Sequence, residues 1–115
     1  KDACFLSGLS KIETGQPAHR PKHLYHFIQD RYITPDFVVD ISDFWDIKTQ
    51  AILAYKTQFN APKNDSEPQT YISTPEFFES LVARAKELGH QIGVKYGEGF
   101  TKTRMLGVNN LWDLI

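Results

Sequence analysis

The feature that most constrains the fold is the segment 36–59, in which a short apolar run passes directly into a helical pattern. Residues 37–41 are mostly aromatic or β-branched, which favours a buried strand. Ser42 is a suitable N-cap, and acidic residues follow in the first turn, where the helix dipole favours negative charge. Apolar residues then recur at helical spacing: Phe44, Ile47, Ala51, Ile52, Tyr55 and Phe59. The pattern predicts an amphipathic helix after the strand.

Other segments indicate two more helices and one more strand. Residues 2–9 have helical spacing, and the aromatic run at 24–28 predicts a strand. A second long helix begins at Pro75, since Ser73 to Glu76 has capping-box spacing. Gly89 is its expected stop. The apolar stripe of this helix comprises Phe77, Phe78, Leu81, Val82, Ala85 and Leu88.

Three further segments lack a clear regular pattern. Gly93, Gly97 and Gly99 fall within seven residues, which suggests backbone packed close to another surface or a loop with unusual dihedral angles. The stretches 11–22 and 60–69 are predicted loops because proline, glycine and polar residues dominate them. The tail 111–115 is apolar, so we expect it to dock on this domain or on a neighbour.

Bulk composition excludes some classes of function. The 115 residues suit one domain, and the formal net charge of -1 argues against a nucleic-acid-binding surface, which normally has a basic excess. No apolar run approaches the ~20 residues that a membrane-spanning helix needs. A single cysteine, Cys4, cannot form an internal disulfide, which favours a reducing, cytoplasmic compartment.

Two predicted strands are a small basis for an independent sheet, because an isolated pair of strands is marginally stable in water. The sequence also opens on Lys1 with no initiator methionine. We therefore expect the chain to be a piece of a longer protein. The predicted fold class is α/β, with a sheet that continues into a sandwich in that longer protein.

Arg20 is the first candidate binding residue. It lies in a Pro-Ala-His-Arg-Pro loop ahead of the strand at 24–28, where a guanidinium can bind a carboxylate or a sugar hydroxyl. A solvated loop arginine is the competing interpretation. Glu98 lies between two glycines that allow a polar ligand to approach, although a structural glutamate fits equally well. Tyr96 is a candidate pocket residue and also a candidate core residue.

The histidines do not form a convincing metal site. His19, His23 and His26 have spacings of four and three, but Pro21 interrupts any helix there. On a strand, His23 and His26 point to opposite faces. Asp40 interrupts an apolar strand, and we expect it to bind a loop amide or an arginine rather than to act as a general base. No catalytic residue or metal ligand is assigned in this chain.

Several motifs together resemble the PIG-L/LmbE family of zinc deacetylases, in its bacillithiol-biosynthesis branch. The motifs are His19-Arg20, the Thr-Pro-Asp-Phe and Asp-Ile-Ser segments within 34–42, and Ile-Gly-Val-Lys-Tyr-Gly-Glu-Gly-Phe at 92–100. Ala18 departs from the proline that precedes this His-Arg pair in relatives. The resemblance implies the C-terminal part of a Rossmann-like α/β sandwich, with residues 1–115 forming one portion of a single deacetylase domain.

The resemblance also implies a function for the longer protein. Relatives hydrolyse the acetamide of an N-acetylglucosaminyl conjugate with zinc, which is held by motifs in the N-terminal half that this chain lacks. It further implies a homo-oligomer in which Arg20 contacts the amino-sugar substrate, while Glu98 and Tyr96 line the pocket. This chain alone is expected to be inactive.

One position departs from the family, and one other class of function remains open. Some relatives carry a mobile tyrosine near the start of the helix at 75–89, where this chain has Phe77. Either Tyr71 takes its place, or the alignment is shifted in this loop. The alternative function is a non-enzymatic α/β assembly or binding module. Its contact surface would comprise Trp112, Phe100 and an exposed sheet edge.

Overall fold

The computed structural model describes residues 1–10, 15–54 and 75–115. Some sequence predictions therefore concern positions outside the described residues. These are residues 11–14 of the first predicted loop, Tyr55 and Phe59 of the helix stripe, the loop 60–69, Tyr71, and the cap residues Ser73 and Thr74.

Three helices and three strands make up the regular structure of the described residues. The helices are α1 (Asp2–Ser7), α2 (Trp45–Ala54) and α3 (Pro75–Ile92), and the strands are β1 (Tyr25–Phe27), β2 (Phe37–Asp40) and β3 (Gly97–Lys102). Short 3₁₀ helices cover Ser42–Phe44 and Leu111–Asp113. The strands predicted at 24–28 and 37–41 and the helices predicted at 2–9 and from Pro75 are confirmed.

The sheet has the order β1-β3-β2, and β3 runs antiparallel to both neighbours. Phe100 of β3 lies opposite Phe27 on one side and Phe37 on the other. The sequence analysis assigned only two strands, and this count was wrong. The glycine-rich segment, for which it left open close packing against a surface or a loop with unusual dihedral angles, contributes Gly97 and Gly99 to the central strand, while Gly93 has a positive φ.

The buried core lies where α3 crosses the sheet. Ala85 and Leu88 of α3 are buried together with Ile41 after β2, and Leu88 is only 1% exposed. The predicted stripe of α3 therefore faces the sheet, with its other members half-buried. Asp36 N–H and Ile41 N–H donate to the carbonyls of Phe100 and Tyr96, which continues the pairing of the chain around β2 with the β3 segment.

Gly89 does not end α3, which corrects the sequence prediction. The helix continues to Ile92, and Gly93 follows with a φ of 77°, a conformation that glycine adopts without a steric penalty. Gly89 is buried where the helix packs against the chain entering β3. A Cβ at this position would lie 2.8 Å from the backbone nitrogen of Tyr96, which is too close for any residue but glycine. The glycine permits close contact between the helix and the chain entering β3.

The start of α2 also differs from the prediction. Ser42 is not the N-cap, because it is the first residue of a 3₁₀ helix and its hydroxyl accepts a hydrogen bond from Tyr96 N–H at 3.1 Å. The helix is also not amphipathic as predicted: Phe44 and Ile47 are 64% and 65% exposed. Trp45 and Ile52 of this helix are half-buried.

These elements form a mixed helix and sheet architecture that is compatible with the predicted α/β class. Among the described residues, no helix is long and apolar enough to cross a membrane.

Candidate functional site

Arg20 lies in a cleft between α1 and the loop that leads to β1. The cleft has a volume of about 200 Å³ and is lined by Lys1, Cys4, Phe5, Arg20, Pro21, Lys22, Leu24 and Thr103. Three of these side chains are cationic, and none of the lining residues is acidic. We call this site the basic cleft. Its composition suits a ligand that combines negative charge with an apolar part.

The local fold holds the Arg20 guanidinium against α1. Its central carbon lies 5.7 Å from the centre of the Phe5 ring, a cation–π contact. His19 N–H donates to the carbonyl of Ser7 at 2.7 Å, which ties the loop to the end of the helix. Gly8 leaves room for the guanidinium, since a Cβ there would come within 2.5 Å of Arg20 Nε. The arginine is therefore positioned while its side chain stays exposed.

Glu98 and Tyr96 lie beside the start of α2. Glu98 Oε1 accepts a hydrogen bond from Lys48 Nζ at 3.1 Å, and this ion pair is about one third exposed. The Tyr96 ring stacks on Trp45 with 4.1 Å between ring centres. Glu98 also borders a small cleft of about 60 Å³ between α2, α3 and the sheet.

The structure does not bring the three predicted binding residues into one cleft. The basic cleft borders the sheet at Thr103, just beyond β3, whereas Tyr96 and Glu98 lie at the opposite end of that strand. Thr103 lies five positions after Glu98, which is about 16 Å of extended chain. A ligand on Arg20 and a ligand on Glu98 would therefore occupy two separate positions.

The two aspartates of the β2 region have structural partners. Asp40 Oδ1 accepts a hydrogen bond from Ser42 N–H at 2.9 Å, which confirms the expected bond to a loop amide. The side-chain and backbone hydrogen bonds from Ser42 lower the pKa of Asp40. Asp36 accepts a bond from Lys102 N–H at 2.8 Å, and this bond lowers the Asp36 pKa, with help from the Lys102 ammonium 3.6 Å away.

His19, His23 and His26 are exposed, and the last two contact different residues. His23 stacks on Tyr25 with ring centres 5.9 Å apart, while His26 lies opposite Thr101 in the sheet. Within residues 1–10, 15–54 and 75–115, no three His, Cys, Asp or Glu side chains are grouped as a metal site requires.

The sequence analysis missed an aromatic surface on the sheet. Register partners share a face, so Phe27, Phe37 and Phe100 lie together on the face opposite the one that α3 covers. Phe37 contacts the rings of both Phe100 and Tyr25, at 5.6 and 5.3 Å between centres. We call this surface, completed by Val39, the aromatic face. Its sequence signal is the alternation of apolar residues in each strand, which becomes informative only when the register is known.

Phe27 is 59% exposed, Tyr25 45% and Val39 43%. The same register places Lys102, opposite Tyr25, and Glu98, opposite Val39, on this face as well, so charged side chains border the exposed rings. Exposed apolar surface with a polar rim is typical of a contact site.

Comparison with known proteins supports the fold of the chain only. No family model matches the chain. Among solved structures, the chain is similar to a conserved protein from Thermus thermophilus, TT1542, with a TM-score of 0.75 and 29% sequence identity. The matched region covers 93% of this chain and 44% of that protein, so the chain spans less than half of its length.

Proposed function

We propose that this chain is the C-terminal portion of a zinc-dependent N-acetylglucosaminyl deacetylase of the PIG-L/LmbE type. In that larger Rossmann-like domain, the chain supplies pocket walls and subunit contacts. Arg20 binds the amino-sugar conjugate, a substrate of the type used in bacillithiol biosynthesis. The observation that carries the proposal is the position of Arg20, which is held by α1 in an exposed basic cleft.

The chemistry of the basic cleft supports a role in substrate binding. Arg20 has no carboxylate among the residues that line its cleft, so the guanidinium retains its hydrogen-bonding capacity for a ligand. Contact with the Phe5 ring restricts the side chain without using its N–H groups. An arginine that is oriented in advance loses less conformational entropy when it binds a carboxylate or hydroxyl group.

The aromatic face supports the expectation that more protein packs against this chain. The Rossmann-like domain of the proposal has helices on both faces of its sheet. Among the described residues, α3 covers one face of this antiparallel sheet. The related conserved protein is more than twice as long as the matched region. In the proposal, the additional part of the domain covers the aromatic face and extends the sheet.

Zinc in this proposal belongs to the additional part of the domain. The described residues do not provide a set of ligands that fits the metal. Glu98 and Tyr96 lie outside the basic cleft, so within one chain they do not contact a ligand bound to Arg20. Glu98 must give up its ion pair with Lys48 before it can bind a substrate hydroxyl.

Replacing Arg20 in the longer protein tests the proposal. For Arg20→Ala we expect kcat/KM for an N-acetylglucosaminyl conjugate to fall about 10- to 100-fold, because a hydrogen bond to a charged group contributes about 1.5–3 kcal/mol. Arg20→Lys should recover only part of the rate, since lysine lacks the bidentate geometry. Steady-state kinetics at matched zinc content provides the measurement.

Arg31→Ala is the matched control, because Arg31 is an exposed loop arginine outside the basic cleft. It should retain the full rate and the unfolding midpoint of the unmodified protein. Equal kinetics for Arg20→Ala and Arg31→Ala would contradict the proposed role of Arg20. Absence of deacetylase activity in the unmodified longer protein would overturn the proposed function itself.

A non-enzymatic binding module is the second candidate, and the exposure of Trp112 favours it. This side chain is 90% exposed, which is unusual for the largest apolar residue. A binding module predicts that an Arg20 substitution leaves any hydrolytic rate unchanged, while substitutions at Trp112 or Phe100 abolish partner binding.

A further inference from the structure

The guanidinium group of Arg84 is fixed in place by backbone carbonyl groups and has no acidic partner among the described residues. Its Nη1 and Nη2 atoms donate to the carbonyl groups of Gln29 and Asp30, the first at 2.8 Å. Neither of the two ion pairs that the described residues form includes Arg84. The side chain is half-buried, and charges in such positions usually have a partner of opposite sign. A guanidinium has five N–H groups, so Arg84 retains donors for a ligand.

Arg84 borders the cleft of about 60 Å³ between α2, α3 and the sheet, which we call the Arg84 cleft. Lys48 borders it too, and its ammonium group donates to Glu98 Oε1 at 3.1 Å. The partly exposed side chains of this ion pair lie at the mouth of the cleft. Arg84 and Lys48 contribute two positive charges, and Glu98 offsets one of them. The charged groups of the cleft therefore favour an anion.

The interior of the Arg84 cleft is apolar and small. Its walls include Ala85 and Leu88, which are buried, together with Leu81 and Ile28. A volume of about 60 Å³ holds four or five groups the size of a water molecule, since each needs about 10–15 Å³. A ligand that fits has one negatively charged end and a short apolar part. A carboxylate also matches the planar fork of a guanidinium, which binds both of its oxygens.

We infer that the Arg84 cleft binds a short-chain monocarboxylate of about the size of propionate. The carboxylate lies between Arg84 and Lys48, and the alkyl chain packs against the apolar walls. Lys48 keeps its ion pair with Glu98, because an ammonium group has three N–H donors. The inference does not rest on the proposed deacetylase function, since this cleft shares no lining residue with the basic cleft around Arg20.

Titration of the purified 115-residue chain with sodium propionate, followed by proton–nitrogen NMR, tests the inference. The Arg84 Nε–H signal and the amide signals of Gly97 and Gly99, which border the cleft, should shift and saturate. Sodium chloride at the same ionic strength should not reproduce these shifts. Propionamide has the same shape without the charge, so its dissociation constant should be about tenfold higher or more.

Substitutions of the charged groups should change the affinity in opposite directions. Arg84→Lys should raise the dissociation constant for propionate about fivefold or more, because lysine lacks the bidentate geometry. Lys48→Met should raise it about two- to fivefold, as expected for a partly exposed ionic contact. Glu98→Gln should lower it, since a negative charge near the carboxylate is removed. Lys86→Met is the control, because Lys86 is exposed on α3 outside the cleft, and it should have no effect.

Leu81→Ala distinguishes a binding role of the cleft from a purely structural role of Arg84. The smaller side chain lengthens the apolar space, so the ratio of the dissociation constants for pentanoate and propionate should fall about fivefold or more. Circular dichroism verifies that each variant stays folded. Three results would each overturn the inference: equal affinity for propionate and propionamide, an unchanged ratio in Leu81→Ala, or shifts that sodium chloride reproduces. The last result would leave Arg84 with the single role of holding the chain at residues 29 and 30.

Discussion

At the residue scale, Gly89 shows how a single small side chain determines the spacing between two elements. It is buried within α3, beside the backbone of Lys95 and Tyr96 and close to Gly97 of β3. A glycine in a helix interior costs about 1 kcal/mol relative to alanine, so its presence indicates a steric requirement. Here two backbones lie in contact. A methyl group on residue 89 would clash with backbone atoms of Lys95 and Tyr96, and no change of side-chain rotamer can relieve that clash.

Gly89→Ala should lower the free energy of unfolding by about 1–3 kcal/mol, even though alanine is the better helix former. The new methyl group would lie 2.8 Å from Tyr96 N, and the helix must move away from the strand. Urea unfolding followed by circular dichroism measures the change. Gly107→Ala is the matched control, because its Cβ meets nothing within 4 Å, and it should change stability by only a few tenths of a kcal/mol. Equal effects at the two positions would contradict the steric argument.

At the element scale, the sheet depends on links between the ends of β2 and β3. Asp36 precedes β2 and binds both the backbone N–H and the ammonium group of Lys102 at the end of β3. The bond lowers the pKa of Asp36, so the folded state binds the proton more weakly than the unfolded state does. This carboxylate therefore stabilises the fold above its unfolded-state pKa, and the contribution is lost as pH falls through the lowered pKa.

Asp36→Asn should lower the urea midpoint at neutral pH and have a smaller effect in acid. The difference in midpoint between the two proteins should be constant from about pH 7 to pH 5. It should shrink below about pH 4, where the unfolded state begins to bind the proton, and disappear only below the lowered pKa of Asp36 in the folded state. Asp43→Asn is the control, because Asp43 is an exposed acidic residue of the neighbouring 3₁₀ helix. If the difference in urea midpoint between Asp36→Asn and the unmodified protein does not vary with pH, the charge of Asp36 does not contribute to stability.

At the scale of the whole molecule, the described residues leave the aromatic face open while α3 covers the opposite face. This asymmetry predicts that the 115-residue chain binds an apolar dye such as ANS on the sheet. Phe27→Ser should reduce the dye fluorescence by roughly half, since Phe27 is the most exposed ring of the face. Met105→Ser removes an apolar side chain that is 80% exposed outside the face, and its effect should be small.

In the longer protein of the proposal, the aromatic face is covered and the same dye signal should fall several-fold. Strong dye binding in that protein, reduced by Phe27→Ser to the same extent as in the 115-residue chain, would contradict coverage of this face. The comparison requires both proteins to be folded at the same temperature, which circular dichroism establishes.

The sequence by itself determined the features that depend on local pattern. The aromatic and β-branched runs at 24–28 and 37–41 identify β1 and β2, and Pro75 with the stripe behind it identifies the start and inner face of α3. The Asp40 bond to a loop amide followed from the cost of a charged residue in a strand. Spacing and propensity carry this information because each depends on neighbours a few residues away.

Only the tertiary structure decided the features that depend on distant partners. The segment 97–102 becomes the central strand because β1 and β2 pair with it from both sides, and its glycines allow α3 to approach. Gly89 continues the helix for the same reason, against its usual role as a stop. The aromatic face, and the separation of Arg20 from Glu98, follow from strand register, which joins residues that the sequence places about 60–75 positions apart.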